Sequence, residues 1–170
     1  LIDEWGIGEM ELMMPMVRAL LARHNDMSGD RRIVFWLNPP FDICATALVQ
    51  DGLDPTDHWV CRDVVTGDVM WASELAVRSG ACAVVIAWLP RADMKQLRRI
   101  KLGALAGTQC VVFRARSEAR NSSPATLRLV LQPDASGLAI SVIKLAGRRP
   151  RDIVINVDRR LAPVGNEAST

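Results

Sequence analysis

Met10, Met13, Met16, Val17, Leu20 and Leu21 recur at intervals of three and four, so residues 9–24 read as an amphipathic helix. Pro15 falls inside this stretch; with a fixed φ and no amide proton, it should bend the helix or confine its regular part to the residues that follow. Ile33 to Leu37 is an unbroken apolar run stopped by Asn38-Pro39-Pro40, the pattern of a strand buried on both faces. A helix fits 41–51, closed by Gly52, and His58 to Cys61 is a short strand. Thr66 can cap a helix running to about Ser79, with Gly80 as its stop. Cys82 to Trp88 is the clearest buried strand, ended by Pro90, and a helix over 91–106 and a strand over 109–114 follow. Strands alternating with helices in this way predict a mostly parallel α/β sheet covered by helices on both faces.

After residue 115 the texture changes. Ala115 to Pro124 is polar and rich in breakers, which predicts a mobile loop. Leu127, Leu129 and Leu131 then alternate with polar residues, as do Leu138, Ile140 and Val142, with Pro133 to Gly137 as the turn of a hairpin. Ile153, Ile155 and Val157 give a third strand of the same kind, and the basic tail over 158–170 is expected to be disordered. Residues 1–157 therefore read as one domain: a parallel core with an antiparallel extension at its C-terminal end.

Composition adds few constraints. With 170 residues, 49% of them hydrophobic, the chain can bury one substantial core. No apolar run reaches the roughly 18 residues of a membrane span, and no charged-then-apolar leader is visible, so a cytoplasmic protein without membrane attachment is expected. The opening Leu in place of Met fits a start inside a longer protein. Cys44, Cys61, Cys82 and Cys110 all sit in apolar segments and read as small buried thiols of a reducing compartment. Trp36, Trp59 and Trp71 read as core or partly buried packing, and His24 and His58 lack Cys or Glu at ligand spacing, so neither metal nor cofactor is expected.

Charge does divide the chain. Residues 1–90 hold 6 Lys and Arg against 13 Asp and Glu, a balance of −7; residues 91–170 hold 15 against 6, a balance of +9. An acidic face and a basic face are one reading, the basic one suited to nucleic acid or an acidic protein; a solvated surface that segregates along the chain is the other.

The order of elements, with Arg78-Ser79-Gly80-Ala81 before the central strand and Gln96-Leu97-Arg98-Arg99 and Leu105-Ala106-Gly107 in the helix after it, resembles the RecA recombinase core over about residues 5–157. Gly6-Ile7-Gly8-Glu9, Ala87-Trp88-Leu89-Pro90-Arg91-Ala92-Asp93 and Ser123-Pro124-Ala125-Thr126-Leu127-Arg128-Leu129 resemble more closely ImuA, the RecA-like accessory family of bacterial mutagenic translesion synthesis. SulA, the division inhibitor, is a shorter relative whose likeness ends near the strand at 109–114. The resemblance implies a RecA-like fold, a place in the SOS response, and RecA and the polymerase-like ImuB as partners.

It also allows the chemistry to be tested position by position. A phosphate-binding loop needs glycines to wrap the phosphates, a Lys for charge and a hydroxyl for Mg²⁺. The corresponding stretch holds Gly6 and Gly8, but Glu9 stands in the Lys position and Met10 in the hydroxyl position. A carboxylate there repels phosphates. The resemblance places the water-activating Glu after the strand at 33–37, where Asn38 stands, and the metal-binding Asp of Walker B at Ala87 or Trp88. Its nucleotide-sensing Gln falls near Arg114 or Ala115, and of two interface lysines only Lys144 has a counterpart, Ala146 standing at the second. No nucleotide cofactor and no catalysis are therefore expected.

Binding remains. Arg91, Lys95, Arg98 and Arg99 share one side of the predicted helix; this is either an ordinary solvated face or a docking surface for acidic protein or DNA phosphates. Arg116 and Arg120 near the polar loop, Arg148, Arg149 and Arg151, and Arg159 and Arg160 in the tail extend the positive charge, while the loop lacks an aromatic to stack bases. Trp88 and Leu89, at the end of the central strand, read equally as a protein-contact patch or as a plug over a lost nucleotide site. The sequence thus favours a non-catalytic adaptor that binds RecA and ImuB, with DNA contact or self-association as additions. A SulA-like inhibitor of FtsZ and a remnant ATPase are the alternatives.

Overall fold

A computed structural model describes residues 1–28, 31–62, 65–104, 107–135, 137–147 and 151–155. Four parallel strands form the centre, β1 (Ile33–Leu37), β2 (His58–Cys61), β3 (Cys82–Trp88) and β4 (Gln109–Phe113), in the order β2-β1-β3-β4. Helix α1 (Glu9–Ser28) precedes them, and α2 (Ala45–Gln50), α3 (Thr66–Arg78) and α4 (Met94–Ala104) make the crossovers. A separate antiparallel sheet follows, β5 (Leu127–Asp134), β6 (Gly137–Leu145) and β7 (Arg151–Ile155), each paired with the next. The protein is thus mixed α/β, a helix-flanked parallel sheet with a C-terminal antiparallel extension. No described helix is long and apolar enough to cross a membrane.

All seven residues of β3 are buried, because it lies between two strands with helices on both faces. On one face Val34, Trp36, Val84 and Ile86 pack with Met14, Val17 and Leu21 of α1 and with Leu131, Leu138 and Ile140 of the hairpin. On the other, Val85 and Ala87 meet Val69 and Val77 of α3 and Leu97 and Ile100 of α4. Each buried Val, Leu or Ile in these layers contributes about 1.5–3 kcal/mol relative to its exposed state.

Several expectations change at the element ends. Helix α1 runs through Pro15 and begins six residues before it, so the proline neither starts nor confines the helix; it sits on the exposed side. Helix α2 starts only at Ala45, because Cys44 before it is extended; that also leaves Cys44 exposed instead of buried. The cap of α3 is Val65, which has no polar side chain to offer, and not Thr66. Helix α4 begins at Met94 behind a reciprocal cap: Gln96 N–H donates to Asp93 Oδ1 and Asp93 N–H to Gln96 Oε1, each at 2.8 Å. Residues 105 and 106, in its expected last turn, and the tail over 158–170 lie outside the described residues. Gly52 and Gly80 end their helices with positive φ, as a C-terminal stop requires.

Candidate functional site

The C-terminal ends of β1, β3 and β4 meet the loop that leads into α1 through Trp5, which lies against Trp88 and Phe113 and shares a cleft with Asn38, at the rim where α/β sheets usually carry ligands. Gly6 and Gly8 have φ of 76° and 112°, which turns their backbone so that consecutive N–H groups point inward. Glu9, the first residue of α1, folds back into that concavity. Its Oε1 accepts from Gly6 N–H at 2.8 Å and its Oε2 from Ile7 N–H at 2.9 Å, and the residue is only 1% exposed. Amides gathered at a helix N-terminus are an anion site; here the chain supplies its own carboxylate to it. Met10 is half-buried beside it and packs against the α1-side core.

Ala87 and Trp88, at the expected metal-binding position, are both buried. Trp88 is stacked on Phe113 with centroids 4.9 Å apart and lies 6.3 Å from Trp36, at 20° to it. Trp5 and Phe41 close on it edge-on at 6.2 and 5.6 Å. Trp88 and Leu89, each 5% exposed, therefore plug the rim, and the contact-patch reading of these two residues is corrected by their burial. A cleft of 310 Å³ remains between Trp5, Asn38, Pro40, Trp88, Pro90 and Arg114. Asn38 adopts a φ of 50° there, a left-handed turn that stops β1 before the two prolines.

The loop after β4 is held in place, contrary to the mobile loop expected from its composition. Arg114 is buried, and its Nη2 donates to Ala92 O at 2.6 Å and to Glu118 Oε2 at 2.7 Å. Residues Arg116–Arg120 form a 3-10 turn, fastened by Arg128 Nη2 to the carbonyls of Glu118 and Ala119. The Asn121 amide bonded to Glu118, with the charges of Arg114 and Arg128 adding to it, lowers that carboxyl's pKa below the usual range. Lys144 Nζ donates to Ser123 O at 2.7 Å and so ties the loop to β6.

The basic residues separate into free and occupied ones. Arg91, Lys95 and Arg98 are exposed on and before α4, while Arg99 pairs with Glu74 of α3 at 2.6 Å. Arg116 lies 3.8 Å from Asp3, and Arg120 is exposed. Arg151 opens β7; Arg148, Arg149, Arg159 and Arg160 lie outside the described residues. The sequence reading missed an apolar surface. Trp59 on the edge strand is 60% exposed and Trp71 on α3 is 65% exposed, correcting their placement in the core, and Leu75 one turn after Trp71 is exposed too. Trp59 shares its face of β2 with Cys61, which packs against the α3–α4 core, so Trp59 and the α3 residue Trp71 lie on the α3–α4 side of the sheet. The available signal was position: β2 is an edge, and Trp71 and Leu75 fall opposite Val69, Ser73 and Val77 on the helix.

No protein-family model matches the chain, and no curated protein does. Among solved structures it is similar to SulA from Pseudomonas aeruginosa, with 20% identity and a TM-score of 0.51 over 68% of this chain and 94% of that one. That likeness concerns the fold, and it leaves part of this chain without a counterpart.

Proposed function

We propose that this domain is a non-catalytic adaptor of the DNA-damage response that binds other proteins through its surface. The observation that carries the reading is Glu9 seated on the amides of Gly6 and Ile7, which fills internally the place where a nucleotide phosphate would be bound. Trp88 and Ala87, apolar and buried where a metal-binding carboxylate would stand, support the same conclusion. With its rim plugged by indole and phenyl rings, the domain retains an outer surface: exposed Trp59, Trp71 and Leu75 on one side, and Arg91, Lys95 and Arg98 around α4. Exposed tryptophans are frequent anchors of protein interfaces, and rim charges set association rate.

By the ImuA resemblance the partners are RecA and ImuB. Biolayer interferometry of the full chain against each is expected to show saturable binding. Charge reversal at Lys95 and Arg98 should slow association, and Trp71→Ala should speed dissociation, by roughly tenfold for an anchor residue. Absence of binding to both partners overturns the adaptor assignment.

The structural likeness to SulA favours a second reading, a division inhibitor acting on FtsZ. Sedimentation of FtsZ polymers separates the two: loss of pelleted polymer at near-equal protein concentration selects the inhibitor, and unchanged pelleting excludes it.

A further inference from the structure

Two buried donors at the rim have no role in the hydrogen bonding described above. Trp88 Nε1–H and Arg114 Nε–H are sealed from solvent, and among the described residues neither meets an acceptor. Both residues are more than nine-tenths buried, at 5% and 7% exposure. A buried N–H without a partner has lost its hydration and gained nothing, so two of them at one place call for an acceptor.

Neither group is free to turn away. Arg114 Nη2 donates to Ala92 O and Glu118 Oε2, which fixes the guanidinium plane and with it the direction of Nε–H. Trp88 is held between Phe113 and Trp36. Both side chains line the cleft of 310 Å³, a size at the lower end of the roughly 300–1,000 Å³ of small-molecule sites. Trp5, Pro40, Pro90 and Phe113 make most of the remaining wall, and Asn38 completes it. The prolines carry no N–H, so the wall is apolar apart from the two donors and the Asn38 amide.

We propose that this cleft binds a small aromatic carboxylic acid, its carboxylate accepting from Trp88 Nε1–H and Arg114 Nε–H and its ring lying against Trp5 and Phe113. Two N–H donors select a group that only accepts, and an ionised carboxylate is such a group. The guanidinium favours the charged acid over a neutral carbonyl. Arg114 shares Glu118 with Arg128, whose Nη2 holds the Glu118 carbonyl, so the surroundings of the cleft keep an excess of positive charge. Trp5 stands edge-on to Trp88 and Phe113 and is 41% exposed, which leaves it able to move aside as a ring enters. A nucleotide suits the cleft poorly: the amides of Gly6 and Ile7 that could hold its phosphate are bonded to Glu9 and do not line the cleft. The acid needs no macromolecular partner, so its binding and the adaptor's binding to RecA and ImuB succeed or fail separately.

The test is a titration of the ¹⁵N-labelled chain with phenylacetate, followed at the indole N–H resonances, with Trp88→Phe assigning the Trp88 signal by its loss. The Trp88 resonance is expected to move downfield saturably while those of exposed Trp59 and Trp71 stay in place. Phenethylammonium, the same ring carrying a donor in place of the acceptor, is expected to leave all of them unmoved. Trp88→Phe keeps a ring and removes the donor, and should weaken phenylacetate binding by roughly tenfold, read at the Trp5 indole. Should that variant not fold, Trp5→Leu, at a part-exposed position, is expected to weaken binding several-fold while the Trp88 resonance still shifts. No saturable shift of Trp88 up to tens of millimolar phenylacetate, or an equal shift with phenethylammonium, overturns the proposal. Displacement of bound phenylacetate by ATP with magnesium overturns the ligand class.

Discussion

Glu9 shows how one side chain can convert an anion site into a structural joint. Its two oxygens satisfy two buried N–H groups, so Glu9→Ala leaves both without partners and is expected to cost about 1–3 kcal/mol, read from urea unfolding. The same change reopens the concavity at the head of α1. Sulfate should then raise the melting temperature of Glu9→Ala more than that of the native chain; equal shifts would show that the amides hold no anion. His58 gives a second residue-scale prediction. Trp36 Nε1–H donates to its Nδ1 at 3.0 Å, and burial lowers its pKa, against the opposing charges of Asp57 and Asp54. The folded state thus holds this proton less tightly than the unfolded chain does. The stability associated with neutral His58 is fully present above the unfolded value near 6.5, and falls as pH drops from there through the lower folded value. His24, whose pKa desolvation and the neighbouring Arg32 and Arg23 also lower, acts in the same direction. Chemical denaturation between pH 7.5 and 5 should therefore show a smaller acid loss in His58→Gln, and an unchanged loss would assign the effect elsewhere.

At the scale of elements, unbroken apolar runs identified β1 and β3, and alternation identified the β5–β6 hairpin, because those patterns reflect burial on two faces or one. Helix α4 was legible for the same reason, though its first residue was set by Asp93 and Gln96 and not by the apolar stripe. Removing that cap through Asp93→Ala should cost about 1 kcal/mol and loosen the first turn of α4 in exchange measurements; no change in midpoint would show the cap to be redundant. Composition misled at 115–124, where polar and breaker residues describe a loop but not its anchorage. What holds it, Arg114 and Arg128 on the carbonyls of Ala92, Glu118 and Ala119, comes from strands whose approach no local pattern encodes. Trp59 and Trp71 failed likewise: an apolar type predicts burial, whereas an edge strand and an outward helix face decide otherwise.

For the molecule as a whole, the sequence reading of the candidate site rested on the resemblance, which set Glu9, Met10, Asn38 and Ala87 at positions where a nucleotide site needs other side chains. The carboxylate seated on its own loop and the stacked aromatic cluster could be seen only in the three-dimensional arrangement. The distribution of tryptophans has an optical consequence. Trp36 and Trp88 lie stacked and nearly parallel in the interior, close to Phe113, whereas Trp59 and Trp71 stand in solvent. Exciton coupling between the inner pair reports on the integrity of the interior through circular dichroism, while emission from the outer pair, open to a dissolved quencher, responds to whatever covers the surface. Unfolding and complex formation therefore have separate spectral signatures in the unlabelled protein.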